Sequence, residues 1–173
     1  EDDFLTRFPG DVDQAMAIRQ ERADGAVQQL VSGSATLGAL LAGGSDLQQY
    51  LDAAAAHPDL AYPRILAAVD FRRAEDADAA YTALPLTQPL PASLEAKQAQ
   101  LEQVVTLYNA SAVHGVKEYT HAAAHRIGAA IVHFGDALTA SERPADLQGD
   151  DLAAYEEVLE EQGWDFHARG EAA

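Results

Sequence analysis

Three residues in the stretch EYTHAAAHRIG have the chemical types and the spacing of metal ligands: Glu118, His121 and His125. Side chains three or four positions apart share one face of an α-helix, so a single ion could contact all three. Helical di-iron bundles use the same Glu-x-x-His pair, but they need it on two helices together with further carboxylates. The sequence contains no second copy of the pair. We therefore interpret the stretch as a packing helix and keep a Zn or Fe site at these three residues as the alternative.

The rest of the chain shows no arrangement typical of an enzyme. His133 and His167 are isolated, and His57 lies in an HPD turn that ends a helix. Each of the three is expected to be a surface or capping residue rather than a general base. The Gly-x-Ser-x-Gly and His-Glu-x-x-His motifs are both absent. The glycines at 43 and 44 follow a helical pattern rather than a strand, and no lysine comes directly after them, as a phosphate-binding loop requires. The sequence thus predicts no catalytic residues, no enzymatic activity and no cofactor.

The composition restricts the possible partners. Lysine and arginine total 11 against 28 aspartates and glutamates, which gives a net charge of -17 at pH 7. Such a surface repels phosphate backbones and anionic membranes, and it favours basic or polar protein partners. The chain has no cysteine, and it has no apolar run of the roughly 20 residues that span a bilayer. We expect protein partners, no nucleic acid and no membrane insertion.

The spacing of apolar residues predicts an all-α fold. These residues recur at three- and four-residue steps in nearly every stretch between prolines and glycines. This punctuation divides the chain into about seven helices joined by short turns, which we expect to form an antiparallel array. Asp11 has the position of an N-cap, Ser45 forms a capping box with Gln48, and Pro63 suits a first helical turn. The connector LPLTQPLPAS, residues 84 to 93, is expected to separate two helical layers.

The same spacing predicts which residues face inward in the second half of the chain. Between the connector and Gly115, which is expected to end a helix, the predicted inward residues are Leu94, Leu101, Val105, Tyr108 and Ala112. The last helix is predicted to expose its glutamates and to bury Tyr155, Val158, Leu159 and Phe166. Trp164 either packs and anchors this helix or stays free for a continuation of the chain, and we favour packing.

Four stretches of the second half follow one another in a distinctive order: AAVDFRRAED, LEAKQAQLEQVVTLYNASAV, HAAAHRIGAAIVHFGDAL and RPADLQGDDLAAYEEVLEEQGWDF. They contain a helix with a central lysine, an Arg-Ile-Gly motif, a Pro-x-x-Leu turn and a Leu-x-x-Tyr-x-x-x-Leu-Glu helix. These features lie at Lys97, residues 126–128, Pro144 with Leu147, and residues 152–160. Over about residues 64–168 the chain resembles helical regions of large tetratricopeptide-repeat (TPR) proteins of the bacterial cell envelope, including gliding-motility-associated proteins of deltaproteobacteria. It departs from their pattern after Phe166.

The resemblance implies a TPR-like fold or α-solenoid, or a helical extension of one, with a periplasmic or cell-envelope location. Residues 1–60 are then unassigned N-terminal helices, and residues 61–173 form the TPR-like region. Because the chain begins EDDFLTRFPG, without Met, we expect one compact domain cut from a longer protein. The expected function is a non-catalytic protein-interaction or scaffolding module. The alternative is a helical-bundle metal-binding protein that uses Glu118, His121 and His125.

Overall fold

The computed structural model describes residue 7 and residues 10–173. Between residues 10 and 173 the chain forms no strand and seven α-helices, which are α1 (Val12–Val31), α2 (Leu37–Leu40), α3 (Asp46–Ala56), α4 (Pro63–Ala83), α5 (Leu90–Ala112), α6 (Lys117–Thr139) and α7 (Gly149–Glu171). Two short 3-10 helices, Ala42–Gly44 and Pro58–Leu60, lie in the connections. Consecutive helices from α4 to α7 pack on one another as an antiparallel array, which confirms the all-α prediction and the number of helices. None of the described helices is both long and apolar enough to cross a membrane.

Local signals in the sequence set the helix starts as predicted. The Asp11 carboxylate accepts a hydrogen bond of 3.2 Å from the Gln14 backbone N–H. The Ser45 hydroxyl oxygen accepts one of 3.3 Å from the Gln48 backbone N–H. Each bond satisfies an N–H group that the first turn of a helix leaves unpaired. The Gln48 side chain donates to the Asp52 carboxylate at 2.8 Å, so only the Ser45 half of the predicted capping box forms. Pro63 is the first residue of α4, where its fixed φ suits the helix and its missing N–H has no consequence.

The connector before α5 is shorter than predicted. Helix α5 begins at Leu90, so the expected connector at 84–93 overlaps the first helical turn, and Pro91 lies within that turn. A proline at this position breaks no helical hydrogen bond, because the first N–H groups of a helix have no partner inside it. The predicted end of the helix is confirmed. Ala112 is its last residue, and Gly115 has a φ of 71°, which glycine adopts without strain.

Buried side chains form two clusters that meet along α4. The first cluster combines α1, α2 and α3 with the first half of α4, and its largest fully buried members are Leu47, Tyr50, Ile65 and Val69. The second combines the second half of α4 with α5 and α6, and its largest fully buried members are Tyr81, Val104, Tyr108 and Phe134. Helix α4 therefore belongs to both clusters. The expected division after residue 60 lies just before this helix and stays a prediction.

The buried stripe of α5 differs from the predicted one. It advances in steps of three and four residues through Leu94, Lys97, Leu101, Val104, Tyr108 and Ser111. Val104 is fully buried, whereas the expected Val105 and Ala112 are only partly buried. This register is difficult to predict from the sequence, because two positions of the buried stripe carry the polar residues Lys97 and Ser111. The apolar residues Leu94, Leu101 and Tyr108 recur every seven residues and turn this side of α5 toward the neighbouring helices, so Lys97 and Ser111 are buried with them.

Glycines at the contact between α6 and α7 bring the two backbones close together. Gly128 lies opposite Gly170 and Gly135 lies opposite Gly163, so each helix contributes two glycines seven residues apart. A methyl group on Gly128 would lie 2.6 Å from the Gly170 carbonyl oxygen, and one on Gly135 would lie 2.7 Å from the Gly163 carbonyl oxygen. Carbon and oxygen atoms do not approach so closely without repulsion. The four glycines therefore fix both the spacing and the register of α6 and α7.

Gly135→Ala is expected to destabilise the protein by about 1–3 kcal/mol, because the added methyl group would push α7 away from α6. Gly25→Ala is the matched control, since Gly25 lies within α1 and a methyl group there meets nothing within 4 Å. That change is expected to stabilise the protein by about 0.5–1 kcal/mol through better helix propensity. Urea denaturation measures both effects. Equal stability of the two variants would contradict the close backbone contact.

Two expectations for α7 are wrong, and Gly163 explains the more important one. Val158 and Trp164 are expected inside, but they are 55% and 75% exposed. Helix α7 turns Gly163 toward α6, and the next residue along a helix lies about 100° further around its axis. The indole of Trp164 therefore points away from the contact. The remaining predicted residues of this helix are buried or half-buried: Tyr155, Leu159 and Phe166.

Candidate functional site

The residues of the alternative metal site lie on exposed parts of α6. The Glu118 carboxylate forms an ion pair with the Arg64 guanidinium of α4 at 3.2 Å. His121 and His125 are exposed one turn apart. Within residue 7 and residues 10–173, no group of three or more histidine, aspartate or glutamate side chains is arranged to hold a metal ion. The metal hypothesis stays a prediction, and Glu118 would have to leave Arg64 in order to serve as a ligand.

Three other histidines contact carboxylates or cap a helix. His114 Nε2 lies 2.9 Å from an Asp70 carboxylate oxygen and joins the turn after α5 to α4. His167 Nε2 lies 2.9 Å from an Asp136 carboxylate oxygen and joins α7 to α6. His57 is the C-cap residue of α3, in agreement with the capping role expected from its HPD turn. These histidines connect or terminate helices.

Lys97 is a buried charged residue of the second cluster, with none of its surface exposed. Its ammonium group donates hydrogen bonds to the carbonyl oxygens of Tyr81 and Leu84, at 3.1 and 2.6 Å. Both carbonyls lie at the C-terminal end of α4. The last turn of a helix leaves carbonyl groups without helical partners, and their partial negative charge attracts a cation. Lys97 thus caps the end of α4 from the neighbouring helix α5.

Two aromatic rings complete the surroundings of Lys97. The ammonium nitrogen lies 4.6 Å from the centroid of the Tyr81 ring and 3.5 Å from His133 Nε2 on α6. The Tyr81 and His133 rings meet edge to face, and the Tyr81 hydroxyl donates to the Ala130 carbonyl oxygen at 2.9 Å. Burial lowers the pKa of the Lys97 ammonium below its usual value. Burial, assisted by the nearby charge of Asp78, raises the pKa of the Tyr81 hydroxyl.

The role of Lys97 is structural. Because none of its surface is exposed, no substrate can contact its nitrogen in the folded protein. In the sequence this lysine is distinguished only by the TPR resemblance, and its burial is not predicted. The available signal is its spacing, three residues after Leu94 and four before Leu101, which places it in the apolar stripe of α5.

Lys97→Met is expected to lower the free energy of unfolding at pH 7 by about 1–3 kcal/mol, because the Tyr81 and Leu84 carbonyls lose their charged donor. Lys117 is the other lysine of the chain, exposed at the start of α6, and Lys117→Met is the matched control. The control is expected to change stability by less than about 0.5 kcal/mol. Urea denaturation compares the two, and equal losses would contradict the capping role.

The lowered pKa of Lys97 predicts how stability depends on pH. Between the folded-state pKa and the usual value of 10.5, the unfolded chain binds more protons at this residue, so stability rises with pH in that window. The raised pKa values of Tyr81 and Tyr108 lower stability above about pH 10, because the unfolded chain loses their protons first. Lys97→Met keeps the tyrosine contribution and loses that of the lysine. The stability difference between wild type and variant should therefore grow as the pH approaches the usual lysine pKa of 10.5, and a constant difference would contradict the lowered pKa.

The outer side of α7 carries an exposed indole among carboxylates. Trp164 is preceded by Glu160 and Glu161 at one helical turn and followed by Ala168 at one turn. Glu157 and Glu171 lie two turns away, one on each side. These five residues are exposed, whereas His167, three residues after Trp164, is half-buried. This surface, the Trp164 face, consists of Glu157, Glu160, Glu161, Trp164, Ala168 and Glu171.

The Trp164 face carries unbalanced negative charge. Arg169 is the only arginine or lysine of α7, and its guanidinium lies over the Phe166 ring, 5.1 Å from the centroid. His167 already contacts Asp136. None of the glutamates of the face forms an ion pair with another residue that the structure describes. The face therefore presents a large apolar ring within a negative field.

Comparison with known proteins does not assign this chain to a family. No protein-family model matches it, and neither a curated protein nor a solved structure matches it significantly.

Proposed function

We propose that this chain is a non-catalytic protein-interaction module that serves as a scaffold in a bacterial cell-envelope protein. The observation that carries the proposal is the exposure of Trp164 on a helix that glycine contacts hold in a fixed position. A TPR-like architecture and a periplasmic location belong to the proposal through the sequence resemblance.

The exposed Trp164 supports binding to another protein. Tryptophan carries a large apolar surface, and its exposure forgoes the free energy that burial provides. Residues that dominate protein interfaces are enriched in tryptophan, tyrosine and arginine. Because α7 is held by backbone contacts with α6, the indole is presented on a rigid support, which limits the conformational entropy lost on binding.

The locations of the perturbed titratable groups favour binding over catalysis. Active sites gather groups with shifted pKa values in accessible clefts. Five described groups in this protein have shifted pKa values: Lys97, Tyr50, Tyr81 and Tyr108 are fully buried, and Tyr119 is half-buried. Lys97 and Tyr81 donate hydrogen bonds to backbone carbonyls, and Tyr108 donates one to Asp78. Stability accounts for these shifts without a reaction.

Site-specific photo-crosslinking in cells that produce the full protein tests the proposal. A benzophenone amino acid at position 164 is expected to yield a defined adduct with another protein, because Trp164 would lie in the interface. The matched control is position 113, where Val113 is 79% exposed outside α7, and little adduct is expected there. Absence of an adduct at every exposed apolar position would overturn the proposal: these positions are 31, 62, 113, 158 and 164.

A further inference from the structure

We infer that the Trp164 face binds a basic protein segment, with an arginine or lysine of the partner stacked on the indole and neighbouring cations paired with the glutamates. This inference rests on the proposed function and specifies the chemistry of the partner. The supporting observations are the exposure of Trp164, the carboxylates around it and the negative charge of the whole chain.

The geometry of the face provides two kinds of contact for one cation. Glu160 and Glu161 lie one helical turn from Trp164, a spacing at which side chains on a helix are neighbours. A cation over an indole ring is attracted by its negative face, and tryptophan is the strongest of the aromatic partners. A guanidinium stacked there can also donate paired hydrogen bonds to a nearby carboxylate. One arginine can therefore contact the ring and a glutamate together.

The length of the face accommodates several cations. Glu157 and Glu171 are fourteen residues apart, which corresponds to about 21 Å along a helix. A partner helix of about the same length, with cations every three or four residues, could pair with carboxylates on both sides of Trp164. Arg169 does not compete for the indole, because it already lies over Phe166.

Charge favours a basic segment over a second copy of the chain or a purely apolar partner. A second copy of the chain would bring one acidic face against another, and the net charge of -17 makes that approach unfavourable. A purely apolar partner would cover Trp164 but would also remove the neighbouring carboxylates from water without pairing them. A basic segment covers the indole ring and also pairs with the carboxylates.

The single tryptophan of the chain makes the test direct, because all tryptophan emission comes from position 164. The probes are three capped, alanine-based helical peptides of about 14 residues, which carry four arginines, four glutamines or four glutamates at the same positions with i, i+4 spacing. The arginine peptide is expected to shift or quench the emission in a saturable way that weakens as salt is added. The glutamine and glutamate peptides are expected to leave the emission unchanged.

Paired charge variants separate local recognition from net charge. Glu160→Gln with Glu161→Gln removes two carboxylates beside Trp164. Glu95→Gln with Glu102→Gln removes two exposed carboxylates from α5 and is the matched control. The first pair is expected to weaken binding of the arginine peptide by at least fivefold, and the control pair to weaken it by less than twofold. Trp164→Ala is expected to weaken binding of the arginine peptide by about tenfold. For this variant, binding is measured by the fluorescence anisotropy of a labelled peptide.

Three results would overturn the inference: equal binding of the glutamine peptide, equal weakening by the two charge variants, or no emission change with the arginine peptide. The crosslinking experiment keeps the inference distinguishable from the proposed function. An adduct at position 164 with a partner segment that lacks arginine and lysine would overturn the inference and support the module. No adduct at any tested position would overturn the module itself.

Discussion

The ammonium group of Lys97 joins three helices within the second cluster. It extends from α5 to the carbonyl end of α4, lies over the Tyr81 ring and approaches His133 on α6. A buried cation loses its hydration, and here no described carboxylate lies within ion-pair distance to compensate. Backbone carbonyls and an aromatic face supply the negative charge instead. These groups converge only when α4, α5 and α6 are in their observed places, so the contact selects this arrangement.

Helix α6 packs on α4 and in turn fixes the position of α7. One face of α6 lies against α4, where the Tyr81 hydroxyl donates to the Ala130 carbonyl, and another face of the same stretch supplies Gly128 and Gly135 to the contact with α7. Because the glycine pairs fit in one register, α7 has one rotation about its own axis. That rotation directs Gly163 inward and Trp164 outward. The exposed indole is thus a consequence of the contact that the preceding residue, Gly163, makes with α6.

The sequence predicts those parts of the fold that depend on local chemistry. Asp11, Ser45, Pro63 and Gly115 mark helix ends through side-chain caps or backbone preference, and the structure places all four as expected. Features that depend on a partner helix are less visible. The burial of Lys97 requires the open end of α4, and the direction of Trp164 requires a glycine contact that only the assembled pair of helices reveals.

The candidate site can be predicted only in part from the sequence, because it too depends on contacts between helices. Glu118, His121 and His125 attract attention through spacing alone, yet Glu118 pairs with Arg64 from a distant part of the chain. The acidic character of the last helix is evident from composition. Its proposed role in binding depends on whether Trp164 is buried or exposed, and the packing of α7 on α6 determines that exposure.

Helix α4 determines whether the two clusters unfold separately or together. Its first half is packed in one cluster and its second half in the other, while ion pairs on its surface, such as Arg73 with Asp70 and Arg126 with Glu75, lie near the junction. Partly exposed ion pairs contribute little to stability, so the clusters are coupled by the continuous helix and by packed contacts such as the Phe71 and Tyr119 rings. Loss of either cluster leaves half of α4 without support and frays the helix toward the other half. The amides of both clusters should therefore exchange with solvent as one cooperative unit, although the buried side chains form two separate groups.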